Sequence, residues 1–95
     1  MTEADRSAKL RAIAAHFGLK RQLLQTMEEN AELTKECSKS IRKEEISEGL
    51  IEEIADVTMM IRQVMWLLAI RDEDIEKMID YKIKRTLKRI EEGEE

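Results

Sequence analysis

The sequence has no proline, three glycines, three aromatic residues and a single cysteine in 95 residues. Each shortage excludes something. A chain without proline and with few β-branched runs does not read as an all-β or α/β fold. One cysteine, Cys37, supplies neither a disulfide framework nor a thiolate zinc site, and it reads as a small buried hydrophobe. With Phe17, Trp66 and Tyr81 as the only rings, the core has to come from Leu, Ile, Ala and the six Met. No stretch reaches the ~18 uninterrupted apolar residues of a membrane span. The longest apolar run, Val64 to Ile70, is too short, and the first residues, MTEADRSAKLR, lack the apolar region of a signal peptide. Positive charge is also in deficit. Seventeen Lys and Arg against 21 Asp and Glu give a formal net charge of −4, which argues against nucleic acid or an anionic membrane as main partner. A cytoplasmic location is the expectation.

Ala, Glu, Lys, Leu and Arg fill just over half of the chain, the composition of long helices. Hydrophobic residues at 42% suffice for a packed domain despite 40% charge. The sequence therefore predicts one all-α domain over residues 1–95, a helical bundle. Thr2 with Asp5 three residues on reads as a capping box opening a helix over about 3–16. Gly18 interrupts the pattern, and a second helix is expected over 19–39. Polar Ser38 to Glu45 is the expected turn, and a third helix is expected over 45–70. Asp72 is read as the cap of a last helix over 73–91, with Glu73, Asp74 and Glu76 early and Lys84, Arg85, Lys88 and Arg89 late, an order that suits the helix dipole. Ile75, Ile79, Ile83, Leu87 and Ile90 would be its buried stripe. The tail Gly93-Glu94-Glu95 is expected to fray.

The third helix is apolar over most of its circumference. Leu50, Ile54, Val57, Ile61, Val64 and Leu68 form one ridge, and Ile51, Ala55, Met59 and Trp66 lie on another side. A few helices of one small chain can hardly cover all of it, so a homo-oligomer is expected, dimer or tetramer.

Two pairs of acids stand three apart, the spacing that projects side chains from one side of a helix. Glu29 and Glu32, with Glu28 beside them, lie in the second helix; Glu53 and Asp56 lie in the third. On facing helices the pairs would converge four carboxylates, the hard oxygen donors that Mg²⁺ and Mn²⁺ prefer. Glu29 and Glu32 also belong to a polar face with Gln22, Gln25 and Glu36, which solvation alone would explain. Glu53 falls within the apolar arc beside Leu50, Val57 and Met60, and a buried carboxylate is costly unless paired or metal-bound. A salt bridge to Arg or Lys competes with a metal there. A di-iron carboxylate site would need Glu-x-x-His pairs, and the only histidine, His16, is preceded at that spacing by Ile13. His16 reads as a helix-end residue. There is no Gly-rich phosphate loop and no nucleophile with a base, so acid–base work would fall to carboxylates and metal-bound water.

Glu28-Glu29-Asn30-Ala31-Glu32, twenty intervening residues and Glu53-Ile54-Ala55-Asp56 resemble the EExxE…ExxD signature of the MazG-like all-α nucleoside triphosphate pyrophosphohydrolases. Gln22-Leu23-Leu24, Glu32-Leu33 and Ala55-Asp56-Val57 agree with it, and the likeness covers about residues 16–90. The resemblance implies a bundle assembled across subunits. It also implies Mg²⁺-dependent cleavage of a (deoxy)nucleoside triphosphate to monophosphate and pyrophosphate. Glu29, Glu32, Glu53 and Asp56 would be the metal ligands, Glu28 a supporting acid, and Lys82 and Arg85 substrate contacts. In the last helix this chain departs from the pattern. Lys82 follows Tyr81 where many relatives carry asparagine, and a lysine cannot accept a hydrogen bond. Gln25 stands near where a basic residue often precedes the acids. Lys82, Lys84, Arg85, Lys88 and Arg89 also read as a solvated face, and Trp66 as core or subunit interface. The rival from another class is a helical assembly protein that kept the fold without the chemistry; hydrolysis of another phosphoanhydride is a third reading.

Overall fold

Thr2 opens the first helix by a reciprocal cap: its hydroxyl accepts from the Asp5 N–H at 3.0 Å, and the Asp5 carboxylate accepts from the Thr2 N–H at 3.1 Å. The computed structural model describes residues 1–93, so Glu94 and Glu95 of the tail lie outside the described residues. Within them the chain is all helix and connection: α1 (Glu3–Phe17), α2 (Leu19–Lys43), α3 (Glu48–Leu67) and α4 (Asp72–Glu91). Gly18, at φ 84°, separates α1 from α2 as its sequence position predicts.

The connections differ from expectation. α2 continues past Lys39 to Lys43, because nothing in Ser38 to Lys43 breaks a helix. It closes instead with Glu44 in the left-handed region, where the Glu44 N–H reaches the Ile41 carbonyl and the Glu45 N–H the Ser40 carbonyl. α3 therefore starts at Glu48 rather than 45. It stops at Leu67 rather than 70, since Ala69 also turns left-handed, at φ 55°, and the Ile70 N–H returns to the Met65 carbonyl. At α4 the cap position is Arg71, not Asp72; Asp72 is already helical, and the Arg71 guanidinium pairs with Glu73 and Asp74.

α2 packs most extensively on α3 and α1 touches both, while α4 packs on none of them. The buried apolar residues are Leu10 and Ala14 of α1 with Val57 and Met60 of α3. α2 adds no apolar residue to that set. It turns its polar row inward, with Gln22 and Glu36 buried against α3. Glu36 is satisfied there by the Ser47 hydroxyl at 2.7 Å and the Lys39 ammonium at 3.2 Å, which hold its carboxyl below its ordinary pKa. Cys37, on the neighbouring side of α2, is exposed rather than buried.

The expected stripe of α4 is likewise uncovered. Ile75, Ile79, Ile83, Leu87 and Ile90 are all exposed, because the helix leaves the bundle at the Leu68–Arg71 connection. The radius of gyration records this. It is 16.3 Å, against about 12.4 Å for a compact chain of this length.

Candidate metal centre

The polar row of α2 and the acid pair of α3 meet halfway along their contact. Glu29 from α2 and Glu53 and Asp56 from α3 each offer a carboxylate oxygen within 4.8 Å of the other two, all three half-buried. Two physical facts mark this group. The Glu53 Oε2 atom is buried without a hydrogen-bond partner. Among the described residues no Lys or Arg forms an ion pair with any of the three, so the salt bridge that competed with a metal is not made.

Negative charge at such spacing raises the cost of ionisation. The Glu53 carboxyl is pushed up to about 7, first by its partial burial, then by Glu29 beside it and by the charges of Asp56 and Glu32. Asp56 is raised too, by burial and then by Glu29 and Glu52. Without a cation the site thus holds protons more tightly than solvated carboxylates would.

Glu29 is oriented within its own helix. Gln25 Nε2, one turn earlier, donates to Glu29 Oε1 at 2.8 Å. That contact is readable from the i,i+4 spacing of Gln25 and Glu29 on the polar face of α2, though the sequence alone reads there as a solvated row and as the lack of a basic residue. The other missed pair, Gln22 with Gln63, has a weaker signal: one glutamine beside Arg62 in a largely apolar part of α3. Gln22 Nε2 donates to Gln63 Oε1 at 2.7 Å in the interior, two turns from the acids along α2.

The remaining site residues of the sequence reading fall elsewhere. Glu32 and Glu28 are exposed on α2 and outside the three-carboxylate group, though Glu32 is near enough for its charge to act on Glu53. Lys82 and Arg85 are exposed on α4, which meets no other helix of its chain, so they are not brought to the acids; the Arg85 guanidinium lies 5.7 Å from the Tyr81 ring centre. His16 is in the last turn of α1, edge-on to Phe17, whose ring Arg21 covers at 4.6 Å. A cavity of about 400 Å³ lies away from the acids, between α1, the end of α3 and the following connection, with Trp66, Arg11 and Arg62 in its wall.

The donor set suits a hard divalent cation. All three groups are carboxylates, and a cation would satisfy the Glu53 oxygen that has no partner among the described residues. Among the described residues no helix is long and apolar enough to cross a membrane. The chain matches no protein-family model, no curated protein and no solved structure.

Proposed function

We propose that the chain is a divalent-cation-dependent nucleoside triphosphate pyrophosphohydrolase of MazG-like character, converting a (d)NTP and water to (d)NMP and pyrophosphate. The observation that carries the reading is the group Glu29, Glu53 and Asp56, with its buried, unpartnered oxygen and, among the described residues, no Lys or Arg ion pair. These three would hold Mg²⁺, with Mn²⁺ as the substitute, and Glu32 would join as a fourth ligand. When bound, the ion supplies charge neutralisation on the phosphoanhydride and acidifies water at its open positions.

The chain's own residues do the rest. Gln25 fixes the Glu29 carboxylate so that its free oxygen is left for the cation. Glu28, exposed one residue before, is proposed as a supporting acid that would take up the proton released when water attacks phosphorus. That attack breaks the bond between the α-phosphorus and the bridging oxygen, and pyrophosphate leaves with the electron pair. Lys82 and Arg85 are proposed as phosphate contacts. From a helix that packs on no other helix of its chain, they meet the substrate only where the acid group of another copy approaches α4. A homo-oligomer is therefore part of the reading, with the apolar, exposed faces of α3 and α4 as its motive.

Those same faces motivate the second reading, an assembly protein that kept the fold without turnover. Pyrophosphate release from a panel of common and modified (d)NTPs, with Mg²⁺ and with EDTA, separates the two. Metal-dependent release of pyrophosphate and monophosphate is expected, and it would name the base. Silence across the panel from folded, metal-loaded protein would favour the assembly protein.

A further inference from the structure

We infer that the cavity bounded by α1, the end of α3 and the start of α4 binds a free aromatic α-amino acid, at a site separate from the acid group and independent of the proposed hydrolase. Its volume, about 400 Å³, falls in the range of small-molecule sites. The chain's own geometry forms it. The left-handed Ala69 ends α3, and the Ile70 N–H returns to the Met65 carbonyl at 2.9 Å, so that Met65, Trp66 and Ile70 border one hollow. Arg62 of α3 pairs with Glu3 of α1 at 3.1 Å and ties two of the walls together, while Arg71 is held by Glu73 and Asp74 at the third. None of Glu29, Glu53 and Asp56 lines this space. Trp66 stands ten residues beyond Asp56, about 15 Å further along the helix axis.

Three features of the wall specify the ligand. Part of it is apolar, with buried Leu10 beside Ile70 and the half-exposed indole of Trp66. Such a surface takes a flat apolar body, and a ring stacks on the indole. Next, two charges of the wall form no ion pair among the described residues, Arg11 on α1 and Asp72 at the start of α4. The first is a fork of donors suited to a carboxylate, the second an acceptor suited to an ammonium. Finally, the charge is divided by wall. Arg11 and Arg62 outweigh Glu3 where α1 meets α3, and Asp72, Glu73 and Asp74 outweigh Arg71 where α4 begins. A ligand of one sign meets repulsion at one of the two walls. A molecule with a carboxylate, an ammonium and a ring meets none, and an aromatic amino acid carries all three. Gln63, also buried in the wall, spends its amide on Gln22 and the Met59 carbonyl and asks nothing further of the ligand.

The chain has one tryptophan, so indole fluorescence reports on this cavity alone. The test is titration of the metal-free chain, in EDTA, with L-phenylalanine, excited at the red edge of indole absorption where the ligand is silent. A saturable change is expected. Phenylpropionate lacks the ammonium, phenethylamine the carboxylate and glycine the ring, and each is expected to bind roughly ten-fold or more weakly. Arg11→Gln and Asp72→Asn break no ion pair and should each weaken L-phenylalanine by a similar factor, with helicity unchanged by circular dichroism. Glu53→Gln is expected to bind as the parent does.

No saturable change with L-phenylalanine overturns the inference. So does phenylpropionate or phenethylamine binding as tightly as the amino acid, and so does parent affinity in Arg11→Gln or Asp72→Asn. Loss of binding in Glu53→Gln would move the ligand to the acids and overturns it too. None of these readouts uses turnover. A chain that binds L-phenylalanine and releases no pyrophosphate defeats the hydrolase and leaves the cavity standing, and an active chain that ignores L-phenylalanine does the reverse.

Discussion

Replacing Gln63 by leucine tests the polar α2–α3 interior most sharply. Gln63 is 2% exposed; its oxygen accepts from Gln22 Nε2 at 2.7 Å, and its own Nε2 donates to the Met59 carbonyl at 3.2 Å. Gln63→Leu keeps the volume but removes the acceptor, leaving the buried Gln22 amide without a partner. An unpaired buried donor costs about 1–3 kcal/mol. The leucine recovers part of this through apolar burial at ~25 cal/mol per Å². A net loss of about 1–2 kcal/mol is expected, roughly 5–15 °C in melting temperature for a domain of this size. Adding Gln22→Leu removes the orphan, and the double variant is expected to return to within ~1 kcal/mol of the parent or exceed it. Urea unfolding followed by far-ultraviolet circular dichroism, at one protein concentration, measures all three. A single variant as stable as the parent, or a double variant less stable than the single, refutes the reasoning.

Gly49→Ala would set a Cβ 2.6 Å from the Glu36 carboxyl carbon, while Ser47 and Lys39 hold that carboxylate in place. Overpacking of ~1–3 kcal/mol then outweighs a helix-propensity gain of ~1 kcal/mol at most, so urea unfolding should show a net loss of about 1 kcal/mol. Unchanged or higher stability would mean that the carboxylate swings aside freely. Glu53 binds its proton up to about 7 in the folded chain against an ordinary 4.5, so between those values the folded state holds more protons than the unfolded one. Stability of the metal-free chain should therefore fall as pH rises through that window and level off above it. In EDTA, Glu53→Gln should flatten the dependence of melting temperature on pH; the parent slope retained in that variant would contradict the assignment. Glu53→Ala and Asp56→Ala are each expected to abolish pyrophosphate release with helicity and assembly mass unchanged. Loss of the assembly, with activity per folded subunit intact, would place the acids in the wrong role.

Much of the helix layout was legible because local chemistry decides it. The Thr2–Asp5 box, Gly18 and the acid-to-base order of the last helix all mark boundaries that the chain obeys. The ends of α2 and α3 were not, because left-handed closure falls on Glu44 and Ala69, where a reader expects glycine. The inward turn of α2 was hidden for a different reason. A polar face ordinarily seeks water, yet Gln22 finds Gln63 and Glu36 finds Ser47, and such long-range pairs leave no periodic trace. Cys37 and the α4 stripe were misplaced because helical periodicity marks which residues share a face and not whether that face is covered. The acids fared better. The i,i+3 spacing of Glu53 and Asp56 put both on one side, and Glu29 across from them, while Glu32 remains at the exposed rim.

The most direct test of the central claim, that Glu29, Glu53 and Asp56 hold a divalent cation, is calorimetric titration of the metal-free chain with Mn²⁺ above the Glu53 pKa. A saturable isotherm that disappears in Glu53→Gln is expected. Heat of dilution alone from the folded parent chain, or an isotherm unchanged in the variant, would contradict it.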